Sequence, residues 1–209
     1  MQSSTQFKDV APASSLLNAP QDILHRDWSV DALAGRFVEV SGDAAGAALT
    51  VSAALIHEVQ QRGELAAWIG ATGSTFYPPD FAASGVDLDA LPVVRVADMA
   101  KASRVADTLI RSGGFALVVL DIGRKLDLPF AMQTRLVGLA KQHHTALLAL
   151  TRRTVRDAPA SSLVSLRVET ERKRIGHDCF LCELRVVKDK RRIPGWNHTE
   201  ICHGPDGLC

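Results

Sequence analysis

The sequence lacks the features that mark membrane, secreted and strongly basic proteins. Its longest purely apolar runs, such as Phe115 to Leu120, are far too short to span a bilayer. The first residues do not show the charged and then apolar pattern of a secretion leader. We therefore expect a cytoplasmic protein without membrane contact, in which the four cysteines are reduced thiols. The net charge of +1 argues neither for nor against nucleic-acid binding.

A chain of 209 residues with 46% hydrophobic and 22% charged residues is typical of one main globular domain. We predict a flexible N-terminal arm at residues 1–22, because this stretch is rich in Ser, Ala, Pro and Gln. The core is predicted over residues 23–195. Residues 196–209 are predicted to be a C-terminal tail, since the chain from Ile193 onward contains several Gly and Pro and favours a loop or a final edge strand.

Strand and helix patterns alternate five times before residue 151, which indicates a parallel sheet. The stretch from Phe115 to Asp121 is apolar up to its last residue, as expected for a central strand covered on both faces. Further on, Leu163 to Ile175 and Cys179 to Lys190 alternate apolar and polar residues, as an antiparallel pair does. We predict the α/β class, with a mostly parallel central sheet, helices on both faces and an antiparallel extension at the C-terminal end.

One stretch of strand, glycine turn and helix has the frame of a phosphate-binding loop. In a working loop, G-x-x-x-x-G-K-[ST], the lysine neutralises phosphates and the hydroxyl holds magnesium. Here three residues separate Gly42 from Gly46 instead of four, and the lysine and hydroxyl positions hold Ala47 and Ala48. The helix N-terminus would still attract an anion. We interpret the stretch as a structural turn and predict no bound cofactor.

Asp121 ends the apolar strand at a place where nucleotide-binding proteins often hold magnesium through water. Because the lysine and hydroxyl are missing upstream, we favour a strand-end cap. His143 and His144 stand at a helix end and are expected to bond carbonyl groups. No Ser/His/Asp or paired-carboxylate arrangement stands out, so we predict no catalytic residue.

Residue types that bind zinc gather near the C-terminus. They are Cys179, Cys182, Cys202 and Cys209 with His177, His198 and His203. Residues three apart on a strand point to opposite faces, so Cys179 and Cys182 do not easily share one metal. We predict ordinary buried cysteine and no bound metal, with a zinc site as the alternative.

Together these segments resemble the ATPase core of the RecA recombinase over roughly residues 35 to 195. Their order and spacing carry the resemblance, because none of the segments is specific alone. The matching stretches are Gly-Arg-Phe-Val-Glu-Val-Ser-Gly (35–42), Ala-Ser-Gly-Val-Asp-Leu-Asp-Ala-Leu (83–91), Ala-Asp-Thr-Leu-Ile-Arg-Ser-Gly (106–113), Leu-Val-Val-Leu-Asp (117–121), Leu-Arg-Val-Glu-Thr-Glu-Arg-Lys-Arg-Ile-Gly (166–176) and Leu-Arg-Val-Val-Lys-Asp-Lys (184–190).

The departures from RecA extend beyond the glycine turn. Thr72 is nearest to the position of RecA's catalytic glutamate, and the glutamine that senses the terminal phosphate is replaced around Arg152. The two DNA-binding loops are shortened to Ile122 to Leu128 and Arg152 to Ser162. We therefore expect neither ATP hydrolysis nor filament-style DNA pairing.

A short RecA relative of this kind resembles the ImuA family, accessory proteins of the inducible mutagenesis cassette. The resemblance implies a non-catalytic role in translesion synthesis during the SOS response to DNA damage. It implies RecA and the polymerase-like protein ImuB as partners, with an error-prone C-family polymerase as an indirect one. The alternative is a SulA-like inhibitor of cell division, because SulA is a second RecA-fold relative without a nucleotide loop.

Lys188 and Lys190 match a pair of RecA lysines that reach the ATP held by the next protomer. The resemblance implies that they bind a partner, so that this chain docks on one end of a RecA filament and blocks its growth. A solvated, charged strand end is the alternative, because such ends protect sheets from aggregation.

The basic charge is concentrated late in the sequence, where Thr151 to Ile193 contain twelve Lys and Arg against six Asp and Glu. We predict weak DNA contact without sequence preference, through phosphates and stacking on an unpaired base. An acidic protein partner is the alternative. The predicted nucleic-acid-binding residues are Arg172, Lys173, Arg174, Arg185, Arg191, Arg192 and Trp196.

Overall fold

The computed structural model describes residues 28–42, 47–70, 74, 76–123, 128–154, 157–177, 179–193 and 195–203. The predicted arm at residues 1–22 lies outside these ranges, and so do residues 43–46 of the glycine turn.

The described elements alternate between strand and helix in the first part of the chain and are strands alone in the last part. The strands are β1 Phe37–Ser41, β2 Leu65–Gly70, β3 Val93–Arg95, β4 Phe115–Gly123, β5 Ala146–Thr151, β6 Leu166–Arg174, β7 Cys179–Asp189 and β8 Asn197–His203. The helices are α1 Val30–Leu33, α2 Ala48–Gln61, α3 Pro78–Ala83, α4 Met99–Arg111 and α5 Phe130–Gln142. None of the helices in the described ranges is long and apolar enough to cross a bilayer.

The described strands form one sheet in the order β3-β2-β4-β5-β1-β6-β7-β8. Neighbours from β3 to β6 are parallel, whereas β6 with β7 and β7 with β8 are antiparallel. The direction changes after β6 because only four residues separate β6 from β7, which is too few for the crossover that a parallel pair needs. The predicted fold class is confirmed. β8 is the final edge strand that we considered for the C-terminal tail, so the sheet continues past residue 195.

β6 is longer than its neighbour β1. The pairing with β1 covers Leu166 to Glu169, and the following residues, Thr170 to Arg174, pair with β7 beyond the end of β1. The hairpin of β6 and β7 therefore overhangs the parallel part of the sheet.

Two apolar cores cover the two faces of the sheet. The first packs α1, α2 and α3 against it, and the second packs α4 and α5. Successive strand residues divide between them, so that Leu148 in β5 belongs to the first core and Leu147 to the second. Every residue of β5 is buried, as expected for a strand covered on both faces.

Local chemistry sets the ends of the helices. Asp98 caps α4, because its side chain accepts a hydrogen bond from the amide of Lys101 at 2.8 Å. Gly113 follows the same helix with a φ of 71°, a conformation that glycine adopts without strain. By contrast, α2 begins after Ala47 without any side-chain cap.

A buried ion pair joins the start of β1 to the end of β7. Arg36 Nη2 lies 2.5 Å from Asp189 Oδ1, and the two side chains are 4% and 0% exposed. Asp189 also accepts hydrogen bonds from the Arg191 amide at 2.8 Å and from Trp196 Nε1 at 3.3 Å. Three donors thus meet on the carboxylate of Asp189, and these contacts hold the antiparallel extension against the parallel sheet.

Asp189→Asn should lower the free energy of unfolding by about 3–5 kcal/mol at neutral pH, because it leaves a buried guanidinium without its counter-charge. Burial alone would raise the pKa of Asp189, but Arg191, Arg36 and Trp196 hold it below its ordinary value. The stabilisation is therefore present above the unfolded pKa and is lost as the pH falls through the lower folded pKa. We expect the deficit of the variant to shrink below about pH 4 in urea titrations.

Lys173→Ala is the control, because it removes an exposed ion pair with Glu183 and should cost little. Equal losses for the two variants would contradict the structural role of Asp189.

Candidate functional site

The carboxyl ends of the parallel strands meet at one edge of the sheet, where α/β proteins bind their ligands. We name it the carboxyl edge, and the opposite edge the amino edge. At the carboxyl edge, the Gly42 amide donates to the Thr151 carbonyl at 3.3 Å, and α2 begins at Ala48. Ala47 is fully buried. A methyl group offers neither charge to a phosphate nor oxygen to magnesium, so these two positions supply no side-chain ligand.

Asp121 lies at the same edge and is 5% exposed. Its Oδ2 accepts a hydrogen bond from Ser74 Oγ at 2.7 Å. Gly70 makes this contact possible, because a Cβ there would lie 2.6 Å from Ser74 Oγ. The sequence interpretation missed Ser74, although a glycine ending a strand just before it was a signal for close approach. Thr72, the position nearest to RecA's catalytic glutamate, lies outside the described residues.

Lys188 and Lys190 lie at the amino edge. β7 runs against β6, and β6 runs parallel to β1, so the end of β7 is next to the start of β1. Lys190 is exposed, and its Nζ donates to the Ser162 carbonyl at 2.8 Å. Lys188 is half-buried opposite Arg167. The lysines and the start of α2 therefore belong to opposite edges of the protein.

Lys188 keeps its charge at an energetic cost. Burial lowers the pKa of this ammonium group, and the nearby charges of Lys190 and Arg167 lower it further, against the opposite effect of Glu39. The surroundings of Lys188 therefore differ from those of a fully solvated strand end.

The hairpin divides the predicted nucleic-acid-binding residues into two clusters. Arg172 to Arg174 lie near the tip of the hairpin, whereas Arg191 and Arg192 follow the other end of β7. Arg172 is six positions along β6 from Leu166, which pairs with Asp189 beside the second cluster. This spacing corresponds to about 20 Å along a strand. The single basic surface expected from the sequence is thus two separate surfaces.

Carboxylates already pair with two of the predicted DNA-binding cations. Lys173 Nζ lies 2.8 Å from Glu183 Oε2, and the Arg185 guanidinium pairs with Glu169. These side chains lie on or beside a cleft of about 580 Å³ whose charged lining is of mixed sign. Mixed charge attracts a polyanion less than the sequence count suggested.

Three other predicted residues take part in local contacts. The guanidinium carbon of Arg172 lies 5.1 Å from the centre of the Phe180 ring. Arg174 donates hydrogen bonds to backbone carbonyls of the hairpin turn. Trp196 packs partly buried against the first core, with its indole N–H on Asp189. In this conformation Trp196 is a packing residue, and an exposed stacking platform would require it to move.

The cysteines on β7 and β8 differ in burial. Cys182 is fully buried, as predicted, and a hydrogen bond with Cys202 lowers the pKa of the Cys182 thiol. Cys179 is half-buried. Within the part of the chain that the structure describes, no three His, Cys, Asp or Glu side chains are arranged to hold a metal ion. Cys209 lies outside that part.

The family of the RecA N-terminal domain matches residues 30–153, more than half of the chain. The chain belongs to the RecA N-terminal domain family. Protein RecA of Leifsonia xyli subsp. xyli is 32% identical over 133 residues, which cover 58% of this chain and 37% of that protein. Protein RecA of Kineococcus radiotolerans and of Lactobacillus acidophilus are each 39% identical over 88 residues, covering 42% of this chain.

The chain spans little more than a third, or only about a quarter, of the length of these curated relatives. The family match includes the glycine turn and Asp121, and it ends before β6. Lys188 and Lys190 lie beyond it, so their function stays a prediction.

Lys188→Met should raise the free energy of unfolding by about 0.5–1 kcal/mol at neutral pH, because it removes a partly buried charge beside Lys190 and Arg167. The gain should vanish above about pH 10, where the wild-type lysine also becomes neutral. Urea titrations at both pH values measure it. Lys190→Met is the matched control with an exposed side chain, and an equal gain there would contradict the assignment to burial.

Arg191→Ala/Arg192→Ala should weaken the binding of a single-stranded oligonucleotide more than Arg185→Ala does, because Arg185 already pairs with Glu169. The double variant should also flatten the salt dependence by about one phosphate contact per arginine. Fluorescence anisotropy over a series of salt concentrations measures both. A larger loss with Arg185→Ala would contradict this ranking.

Proposed function

We propose that this chain is a non-catalytic accessory protein of translesion synthesis induced by DNA damage, the role implied by its resemblance to the ImuA family. It acts through contacts with RecA and an ImuB-type polymerase-like protein, and through them with an error-prone C-family polymerase. It does not hydrolyse ATP, and it limits the growth of RecA filaments.

The strongest support is the pair Ala47–Ala48 at the start of α2 in a RecA-type core. The surrounding backbone remains helical, since the Val51 amide donates to the Ala47 carbonyl at 2.9 Å. The fold is thus maintained where the two side chains needed for triphosphate chemistry are replaced by methyl groups. A scaffold of this kind is suited to work through its surfaces.

The positions of the two edges support docking on a filament end. Lys188 and Lys190 at the amino edge would contact the nucleotide-bearing face of a RecA protomer. The carboxyl edge of the docked chain would then face the next incoming RecA, to which it offers no lysine and no hydroxyl at the glycine turn. Such a chain joins a filament once and stops its extension.

The absence of ATP chemistry is tested by titrating the chain with ATP and magnesium in a calorimeter and by measuring phosphate release. We expect no heat of tight binding and no release above that of a buffer control. Magnesium-dependent ATP uptake followed by turnover would refute the proposal.

Lys188→Ala/Lys190→Ala should abolish the effect of the chain on RecA-driven strand exchange, because it removes the charges that contact the filament end. At concentrations where wild type inhibits fully we expect no inhibition by the variant, which corresponds to a loss of at least about tenfold in affinity. Lys101→Ala/Arg104→Ala is the matched control, since it removes two exposed cations of α4 away from the amino edge. Equal inhibition by wild type and by the Lys188/Lys190 variant would disprove filament docking.

Immobilised chain should also retain purified ImuB-type protein and RecA. Retention of a cell-division GTPase in place of both would favour the SulA-like alternative.

A further inference from the structure

Two corners of the amino edge each carry exposed apolar side chains among charges of one sign. The basic corner follows the end of β7 and consists of Lys190, Arg191, Arg192 and Ile193. All four residues are exposed, and Ile193 is 89% exposed. Asp189, the acidic residue next to them, is buried against Arg36. The charge that the basic corner presents to solvent is therefore positive.

The acidic corner lies between the start of β2 and the start of β3. It consists of Glu64, Leu65, Asp87, Leu88 and Asp89. All five residues are exposed, with Leu65 at 44% and Leu88 at 36%. Like the basic corner, it presents an apolar surface bordered by charge, but the charge is negative.

Both corners are held by hydrogen bonds. In the basic corner, the Lys190 amide donates to the Ser165 carbonyl at 2.8 Å, and the Arg191 Nη2 donates to the Ala34 carbonyl at 3.2 Å. In the acidic corner, the side chain of Gln60 bonds both the carbonyl and the amide of Asp87, at 2.8 and 2.9 Å. Surfaces fixed before association lose less entropy on binding.

The corners are placed so that two copies can satisfy both at once. β2 and β7 are five positions apart in the sheet order, which corresponds to about 24 Å. A two-fold axis between the corners would bring the basic corner of each copy onto the acidic corner of the other. An isologous contact of this kind is closed and does not extend into a fibre.

We propose that a second copy of this chain docks amino edge to amino edge. Ile193 of each copy packs against Leu65 and Leu88 of the other. The two arginines of the basic corner face the two aspartates of the other copy's acidic corner. A nucleic acid fits this pattern less well, because its phosphate backbone offers Ile193 no apolar surface and is repelled by the acidic corner. The inference is independent of the proposed function, and the dimer would cover Lys190 and thereby compete with docking on RecA.

A charge-swap experiment tests the dimer in sedimentation analysis of the full chain. Wild type should sediment as a dimer at about 50 mM salt and dissociate at about 0.5 M. Arg191→Glu/Arg192→Glu and Asp87→Arg/Asp89→Arg should each be monomeric, because like charges then face each other. An equimolar mixture of the two variants should form dimers again, since both contacts are complementary in the mixed pair.

Lys101→Glu/Arg104→Glu is the charge-reversal control and should leave the dimer intact. Ile193→Ala should weaken it about a hundredfold, because the side chain is lost from both copies and burying each one is worth about tenfold. Circular dichroism confirms that each variant is folded. If the glutamate variant fails to fold, Arg191→Gln/Arg192→Gln replaces it in the measurement of the single variant and is left out of the mixture.

Wild type that stays monomeric up to about 100 µM would overturn the proposal. So would a mixture of folded swap variants that does not reassociate, or dimers that persist in either variant alone. Oligonucleotide binding that requires Ile193 in a monomeric chain would assign the basic corner to nucleic acid and also overturn it.

Discussion

Asp189 is the residue on which the arrangement of the amino edge depends. Its buried carboxylate bonds the guanidinium at the start of β1, the amide that follows β7 and the indole that precedes β8. Buried ion pairs are expensive to form, and they persist where their geometry specifies one arrangement among several. Here the arrangement fixes how the antiparallel strands leave the parallel sheet, and it directs Arg191 to Ile193 outward.

The described packing of this RecA-type domain uses no side-chain ligand for a phosphate at the start of α2. Two apolar layers cover the sheet, and the ladder from β3 to β6 joins its parallel strands. Ala47 is fully buried at the start of α2, which has no side-chain cap. The helix of a phosphate-binding frame is thus kept at positions where the lysine and the hydroxyl of a working loop are replaced by alanine.

Much of the fold could be predicted from local patterns. The alternation of strand and helix, the cap at Asp98 and the hairpin of β6 and β7 follow from the spacing of apolar residues and from turn chemistry, which act over a few positions. The neutralisation of the basic surface could not be predicted in this way. The ion pair of Lys173 with Glu183 follows from the register of the hairpin, which the sequence pattern does not give. Arg36 and Asp189 are 153 residues apart, and no local signal connects them. Gly70 gave a signal for close approach near Ser74, but the role of Ser74 itself depends on Asp121 in another strand.

The overhang of the hairpin of β6 and β7 sets where the cation of Arg172 is placed. From Thr170 to Arg174, β6 extends past β1 and pairs with β7. Cys182 and Leu184 of β7 anchor this part of the hairpin, because both are buried in the first core. A change in hairpin length would therefore change how far Arg172 extends past the end of β1, while the rest of the sheet stays as it is.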